Sequence, residues 1–121
     1  MMYKKALAAG AVFAALAVIF GAFGAHALKA ILPADQLLIY ETGVRYQFYH
    51  SLALLITGLT YAYFPNKSLK LAANLFIIGI ILFSGSLYAM TILSTTGIRP
   101  GVVGIVTPVG GLFLIAGWIV Y

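Results

Sequence analysis

Residues 71–93 read LAANLFIIGIILFSGSLYAMTIL, and this stretch decides the class of fold because it contains no charged side chain. An α-helix rises about 1.5 Å per residue, so about 20 apolar residues cross a hydrocarbon layer of about 30 Å. A helix also satisfies its own backbone hydrogen bonds in lipid, which an open strand cannot do. The stretch therefore predicts a membrane-spanning helix.

The composition of the chain extends this prediction. Of 121 residues, 64% are hydrophobic and 7% are charged, whereas a soluble domain carries about 25% charged residues. The net charge of +5 comes from seven lysines and arginines, placed near the ends of apolar runs, against two acidic residues. This distribution favours contact with the lipid bilayer and its anionic headgroups, and no nucleic-acid partner is predicted. The lack of cysteine excludes disulfides and thiolate metal sites.

Four apolar runs have the length of a membrane span, at residues 6–25, 46–64, 71–93 and 102–121. Proline and glycine in the intervening segments indicate turns. We therefore predict an all-α, polytopic membrane protein, with residues 1–121 forming one antiparallel four-transmembrane-helix bundle. Pro33 followed by Asp35 further predicts a short interfacial helix, Ala34 to Glu41, between spans 1 and 2.

The N-terminal segment has two interpretations. Lys4 and Lys5 precede an apolar run, and Ala25-His26-Ala27 has the form of a signal-peptide cleavage site. The run at residues 6–25 is longer than the apolar region of about 7–15 residues in such signals, so we favour an uncleaved first span. The positive-inside rule, applied to Lys4 and Lys5, then predicts cytoplasmic N- and C-termini.

The second span begins in the polar segment ETGVRYQFYH, residues 41–50. Polar groups at membrane depth are costly and tend to mark a working site. Helical periodicity places Tyr46 and His50 on one stripe of span 2, and Ser84 and Tyr88 on one stripe of span 3. In an antiparallel bundle we expect the polar groups of all four spans to meet in the outer half. The predicted cluster consists of His26, Tyr46, His50, Ser84, Ser86, Tyr88 and Thr107.

Small residues mark the faces predicted to pack, because they let helix backbones approach closely in a membrane. The predicted packing positions are Gly10, Gly21, Gly24, Gly85, Gly104 and Gly111. A second small face on span 1 predicts that this helix is approached from two sides. It consists of Ala8, Ala11, Ala15, Ala22 and Ala25.

The polar cluster also has a purely structural interpretation. His50 can be a neutral imidazole that bonds Ser84 or Tyr88 and joins two helices, and we favour this over a proton relay or a ligand-binding role. His26 and His50 without a cysteine or a nearby carboxylate form a weak metal site, so neither a metal nor a cofactor is predicted. The only two carboxylates lie in the first connection and no catalytic triad is evident, so no enzyme is predicted.

Four motifs occur in order along the chain, one in each span. They are GAFGAH at residues 21–26, TGVRYQFYH at 42–50, FSGSLY at 83–88 and TPVGG at 107–111. Together they resemble the small bacterial membrane proteins filed as domain of unknown function 423, or uncharacterised protein family 0382. A more distant similarity extends to small mitochondrial transmembrane proteins of the same family. The resemblance implies a multi-pass protein of the bacterial inner (plasma) membrane with no established activity.

These observations predict a non-enzymatic packing or accessory module of a membrane assembly, present as a homo-oligomer or in a larger membrane complex. The alternative is a small permease or proton-coupled channel with a polar, outward-facing pocket around His50. A hydrated cavity that reaches His50 would favour the alternative. A dry imidazole with both nitrogens bonded would disfavour it.

Overall fold

The computed structural model describes residues 1–97 and 101–121, and its secondary structure is helical. The elements are α1 (Lys4–His26), the short 3₁₀ helix η1 (Leu28–Ala30), α2 (Ala34–Tyr63), α3 (Lys67–Thr95) and α4 (Val103–Val120). The all-α class is therefore confirmed. Residues 98–100, within the last predicted turn, lie outside the described residues.

Three stretches within the described ranges are long and apolar enough to cross a membrane. They are Lys4–Ala30, Lys67–Thr95 and Val103–Val120. These stretches contain the predicted spans 1 and 3 and most of span 4. The helix that contains predicted span 2 is not among the three, because its polar residues lower its hydropathy.

α2 is one continuous helix of 30 residues. It begins after Pro33 and carries Asp35 in its first turn, as predicted, but Ala34–Glu41 forms its first part rather than a separate interfacial helix. Interrupting the helix would leave backbone carbonyls without donors. α3 also packs closely against this part of α2, since an added Cβ at Gly43 would lie 2.8 Å from the ring of Tyr88.

The helices pack in chain order, α1 on α2, α2 on α3 and α3 on α4. Consecutive helices run antiparallel. At one end of the α1–α2 pair, the Tyr3 backbone N–H donates to the Gly58 carbonyl at 3.2 Å. At the other end, Tyr40 Oη donates to the Phe20 carbonyl at 2.6 Å. Within the described residues α1 contacts α3 only marginally and makes no extensive contact with α4, so α1 and α4 form opposite flanks.

An apolar core fills the half of the bundle nearer the chain termini. It consists of Ala6, Ala53, Leu54, Ala72, Ala73, Phe76, Ile80 and Leu114. Alanine and glycine opposite these bulky side chains let the helices approach. An added Cβ at Gly79 would lie 2.5 Å from the Leu114 side chain, and one at Gly117 would lie 2.7 Å from the Phe76 ring.

The structure divides the six glycines predicted to pack. Gly10 and Gly24 are buried against α2, where an added Cβ would lie 2.8 Å from the Ser51 carbonyl oxygen and 2.5 Å from the Tyr40 ring. An added Cβ would make an ordinary van der Waals contact at two further positions. It would lie 3.4 Å from Val44 at Gly21 and 3.7 Å from Phe83 at Gly111. An added Cβ at Gly85 or Gly104 would have no atom of the described residues within 4 Å.

Candidate functional site

The side chain of Gln47 is 3% exposed and bonds two other helices. Its Nε2 donates to the Phe13 carbonyl at 2.8 Å, and its Oε1 accepts from Tyr88 Oη at 2.7 Å. One amide thus links α1, α2 and α3. The Tyr88 ring packs edge-on against Phe20 and at a tilt against Tyr40.

Gln47 was not among the predicted cluster residues. The prediction followed a stripe through Tyr46 and His50, but Gly43, Gln47, His50 and Leu54 form an overlapping stripe with the same alternation of four and three. The structure buries this second stripe and leaves Tyr46 42% exposed, packed against Phe83. Periodicity alone could not choose between stripes that share His50. An amide at mid-span was the available signal, because it is costly to leave facing lipid.

His50 is 6% exposed and bonded at both ring nitrogens. Trp118 Nε1 donates to His50 Nε2 at 3.0 Å, and His50 Nδ1 lies 2.8 Å from the Tyr46 carbonyl oxygen. An indole N–H only donates, so Nε2 accepts and the proton on Nδ1 is donated to the carbonyl. The network therefore fixes the neutral tautomer. The predicted interhelical bond of His50 exists, but its partner is Trp118 rather than Ser84 or Tyr88.

The difference in partners reflects the height of His50 in the bundle. His50 stands 16 residues after Ala34, which corresponds to about 24 Å of helix. It therefore lies near the middle of α2, at the level of Phe76 and the C-terminal part of α4. The prediction placed it one turn below the start of a span beginning at residue 46. The twelve residues from Ala34 to Arg45 account for the shift.

The two predicted serines serve different helix contacts. Ser84 Oγ donates to the Gly43 carbonyl at 2.7 Å and joins α3 to α2. Ser86 Oγ lies 2.5 Å from Thr107 Oγ1 and joins α3 to α4. His26, at the end of α1, is exposed. The seven predicted residues therefore do not form one cluster. They occupy separate contacts around α3, with His26 outside them.

The buried polar side chains that the structure describes are bonded within the chain. Across residues 1–97 and 101–121, no buried side-chain nitrogen or oxygen lacks a hydrogen-bond partner. Hydroxyls that do not join helices, such as those of Ser51, Thr57 and Thr91, donate to a carbonyl of their own helix. In the same ranges, no group of three or more His, Cys, Asp or Glu side chains could hold a metal ion.

A groove of about 440 Å³ runs beside His50, between α2, α3 and α4. Tyr46, Phe83, Leu114 and Trp118 form most of its walls. The imidazole edge reaches the groove, but its two nitrogens are already bonded. The groove therefore presents a largely apolar surface.

The protein resembles known sequences over most of its length. A family model described as "Protein of unknown function (DUF423)" matches residues 20–111, which include Gln47, His50 and Ser86. The chain belongs to the DUF423 family. The description of the family names no reaction.

Curated relatives of this DUF423 protein are named membrane proteins. UPF0382 membrane protein YwdK of Bacillus subtilis is 44% identical over 115 residues, covering 91% of this chain and 86% of the relative. A UPF0382 membrane protein of Haemophilus influenzae is 39% identical over 118 residues, covering 98% and 90%. One of Staphylococcus aureus is 44% identical over 110 residues, covering 91% and 85%. No solved structure matches the chain. This DUF423 protein is therefore a membrane protein of a family whose function is unknown.

Proposed function

We propose that this DUF423 protein is a four-span, non-enzymatic accessory module of a membrane assembly in the bacterial inner membrane. The observation that carries the proposal is that every buried side-chain nitrogen and oxygen among the described residues already has a hydrogen-bond partner within the chain. A site for a substrate needs donors or acceptors left free for that substrate. Here Gln47, Ser84 and Ser86 join helices to one another instead.

The proposal counts α2 among the four membrane-spanning helices, although its hydropathy alone does not mark it as one. α2 packs along α1 from the Tyr3–Gly58 bond at one end to the Tyr40–Phe20 bond at the other. A helix that follows a membrane-spanning neighbour over this height crosses the same layer. Gln47, His50 and Ser51, in the middle of the helix, are tolerated there because they are buried against protein rather than exposed to lipid.

The proposed orientation places the termini on the cytoplasmic side. Basic and aromatic side chains gather at that end of the bundle. Lys5 Nζ donates to Asn74 Oδ1 at 2.7 Å, and Lys70 Nζ lies 5.6 Å from the ring centroid of Tyr3 and 5.4 Å from that of Tyr61. Lysines on the cytoplasmic side and tyrosines at headgroup depth are typical of this arrangement.

The outward face of α1 supports assembly with another membrane protein or a second copy. Positions 8, 11, 15, 18, 22 and 25 recur at alternating steps of three and four and are all exposed. All but Val18 are alanines, while the buried stripe with Gly10 and Gly24 faces α2. Small residues at this spacing permit close left-handed packing of a second helix in lipid.

Crosslinking in native membranes tests the assembly. A short lysine-independent photocrosslinker in α1 should trap a higher-mass species, and Ala15→Phe should reduce that species at least fivefold by blocking close approach. Val12→Phe is the matched control, because Val12 is exposed on the same helix but lies off the alanine face. A protein that migrates only as a monomer, or an equal effect of the two variants, would refute the proposal.

The permease alternative finds less support. Protonating His50 at Nε2 would replace the acceptor of the Trp118 bond with a second donor, so a proton relay would have to break this contact. The groove beside His50 is the one feature that favours transport. Proteoliposomes that contain a pH-sensitive dye should show no more proton flux than empty liposomes. Flux that His50→Gln abolishes would reverse this preference.

A further inference from the structure

A second cavity lies at the end of the bundle opposite the termini, between α1 and α3, which make little contact with each other. It has a volume of about 400 Å³, is open on one side and is bordered by α1, η1, α2 and α3. Phe20, Phe23, Leu28 and Ile92 provide much of its wall. The cavity exists because α1 hardly contacts α3, and the rings of Tyr40 and Tyr88 fill only part of the gap. We refer to it as the outer chamber.

The hydroxyl groups that border the outer chamber already donate hydrogen bonds to other groups of the protein. Tyr40 Oη donates to the Phe20 carbonyl at 2.6 Å, and Tyr88 Oη donates to Gln47 at 2.7 Å. Thr91 Oγ1 donates to the Leu87 carbonyl of its own helix at 2.9 Å. These three hydroxyls have no hydrogen left to donate, and most of the remaining wall consists of ring faces and aliphatic carbons, which suit a hydrocarbon chain.

A polar mouth adjoins the outer chamber. This neighbouring cavity, of about 610 Å³, shares Ile31 and Thr95 with the chamber and is also bordered by Asp35, Gln36 and Ser94. Ser94 Oγ donates to the Thr91 carbonyl at 2.6 Å, so its lone pairs remain to accept. Together with the exposed carboxylate of Asp35, the mouth is rich in acceptors. It suits a head group that carries donors and positive charge.

We propose that the outer chamber and its mouth bind one membrane phospholipid, with an acyl chain in the chamber and an ammonium head at Asp35. The chamber lies within the size range of about 300–1,000 Å³ typical of small-molecule sites. The wall is apolar in the chamber, beside Phe20, and polar in the mouth, beside Asp35. A phospholipid has the same order of polarity, from its acyl chain to its head group. The site is separate from the alanine face of α1, so it does not depend on the proposed assembly.

Native mass spectrometry of the detergent-purified protein tests chain binding. After equilibration with phosphatidylethanolamine, the full-length protein should retain one lipid per chain. Ile92→Trp, which places an indole in the chamber, should lower the lipid-bound fraction at least fivefold. Ile81→Trp is the matched control, because Ile81 lies on the same helix with a similar exposure of 56% against 63%. Retention that is equal in the two variants would overturn the proposal.

The head group is tested separately with phosphatidylcholine, whose head lacks N–H donors. The wild-type protein should retain phosphatidylethanolamine severalfold better, and Asp35→Asn should remove this preference. Glu41→Gln is the control, because Glu41 is the other carboxylate of α2 and borders a different cavity. Equal retention of the two lipids by the wild-type protein would refute the ammonium assignment. Loss of the preference in Glu41→Gln would likewise refute the role of Asp35.

Discussion

Replacing Gln47 with leucine is expected to lower the free energy of unfolding by about 2 kcal/mol. The substitution keeps the approximate volume of the side chain but removes its bonds to Phe13 and Tyr88. Interhelical hydrogen bonds in membranes average about 0.6 kcal/mol each, which gives about 1.2 kcal/mol for two. A part-buried Tyr88 hydroxyl left without its acceptor adds about 1 kcal/mol.

The assay is equilibrium unfolding in mixed micelles followed by far-UV circular dichroism. Phe48→Leu is the matched control on the exposed face of α2 and should stay within about 0.5 kcal/mol of the wild type. A double-mutant cycle of Gln47→Leu with Tyr88→Phe should give a coupling of about 0.6–1.7 kcal/mol. Coupling indistinguishable from zero, or a cost for Gln47→Leu no larger than that of the control, would refute the linking role of the amide.

Three further predictions concern the His50–Trp118 bond, the packing of α4 on α3, and the membrane crossing of α2. Trp118→Phe removes the donor to His50 Nε2. The ¹⁵N resonance of Nε2 should therefore move towards that of an imidazole nitrogen without a hydrogen-bond donor, while the proton stays on Nδ1. An unchanged resonance would contradict the assigned bond. Gly110→Ala would drive a Cβ into the backbone of α3 and should cost about 1–3 kcal/mol in the same unfolding assay, whereas Gly104→Ala meets open space among the described atoms and should be nearly neutral. If α2 spans the membrane in the proposed orientation, Gln36→Cys in this cysteine-free chain should react with a membrane-impermeant maleimide from outside the cell; labelling only after lysis would reverse the orientation.

Hydropathy was sufficient for the fold class and for the helices of spans 1, 3 and 4. It was less informative for α2, where Glu41, Arg45 and Gln47 dilute the apolar pattern. The start at Ala34 was correctly predicted from Pro33 and Asp35, but the continuity of the helix was not. Local sequence indicates where a helix begins. Whether it continues past a polar segment depends on neighbours that cover the polar groups.

The polar contacts were harder to predict than the helices. Ser84, Ser86, Tyr88 and Thr107 all proved to bond another helix. Their partners could not be assigned, because a pair requires both the rotation and the relative height of two helices. Gly43 illustrates the difficulty, since its carbonyl accepts from Ser84 and carries no side-chain signal in the sequence.

The sequence by itself determined that this is an all-α membrane protein of the DUF423 family, because the cost of transferring residues into lipid adds up locally along the chain and the ordered motifs can be recognised without coordinates. Only the tertiary structure decided which polar groups meet. The relative height of α2 and α4 sets His50 beside Trp118, and the rotation of α2 turns Gln47 rather than Tyr46 inward. Both outcomes depend on how whole helices are placed against one another, which a one-dimensional pattern does not specify.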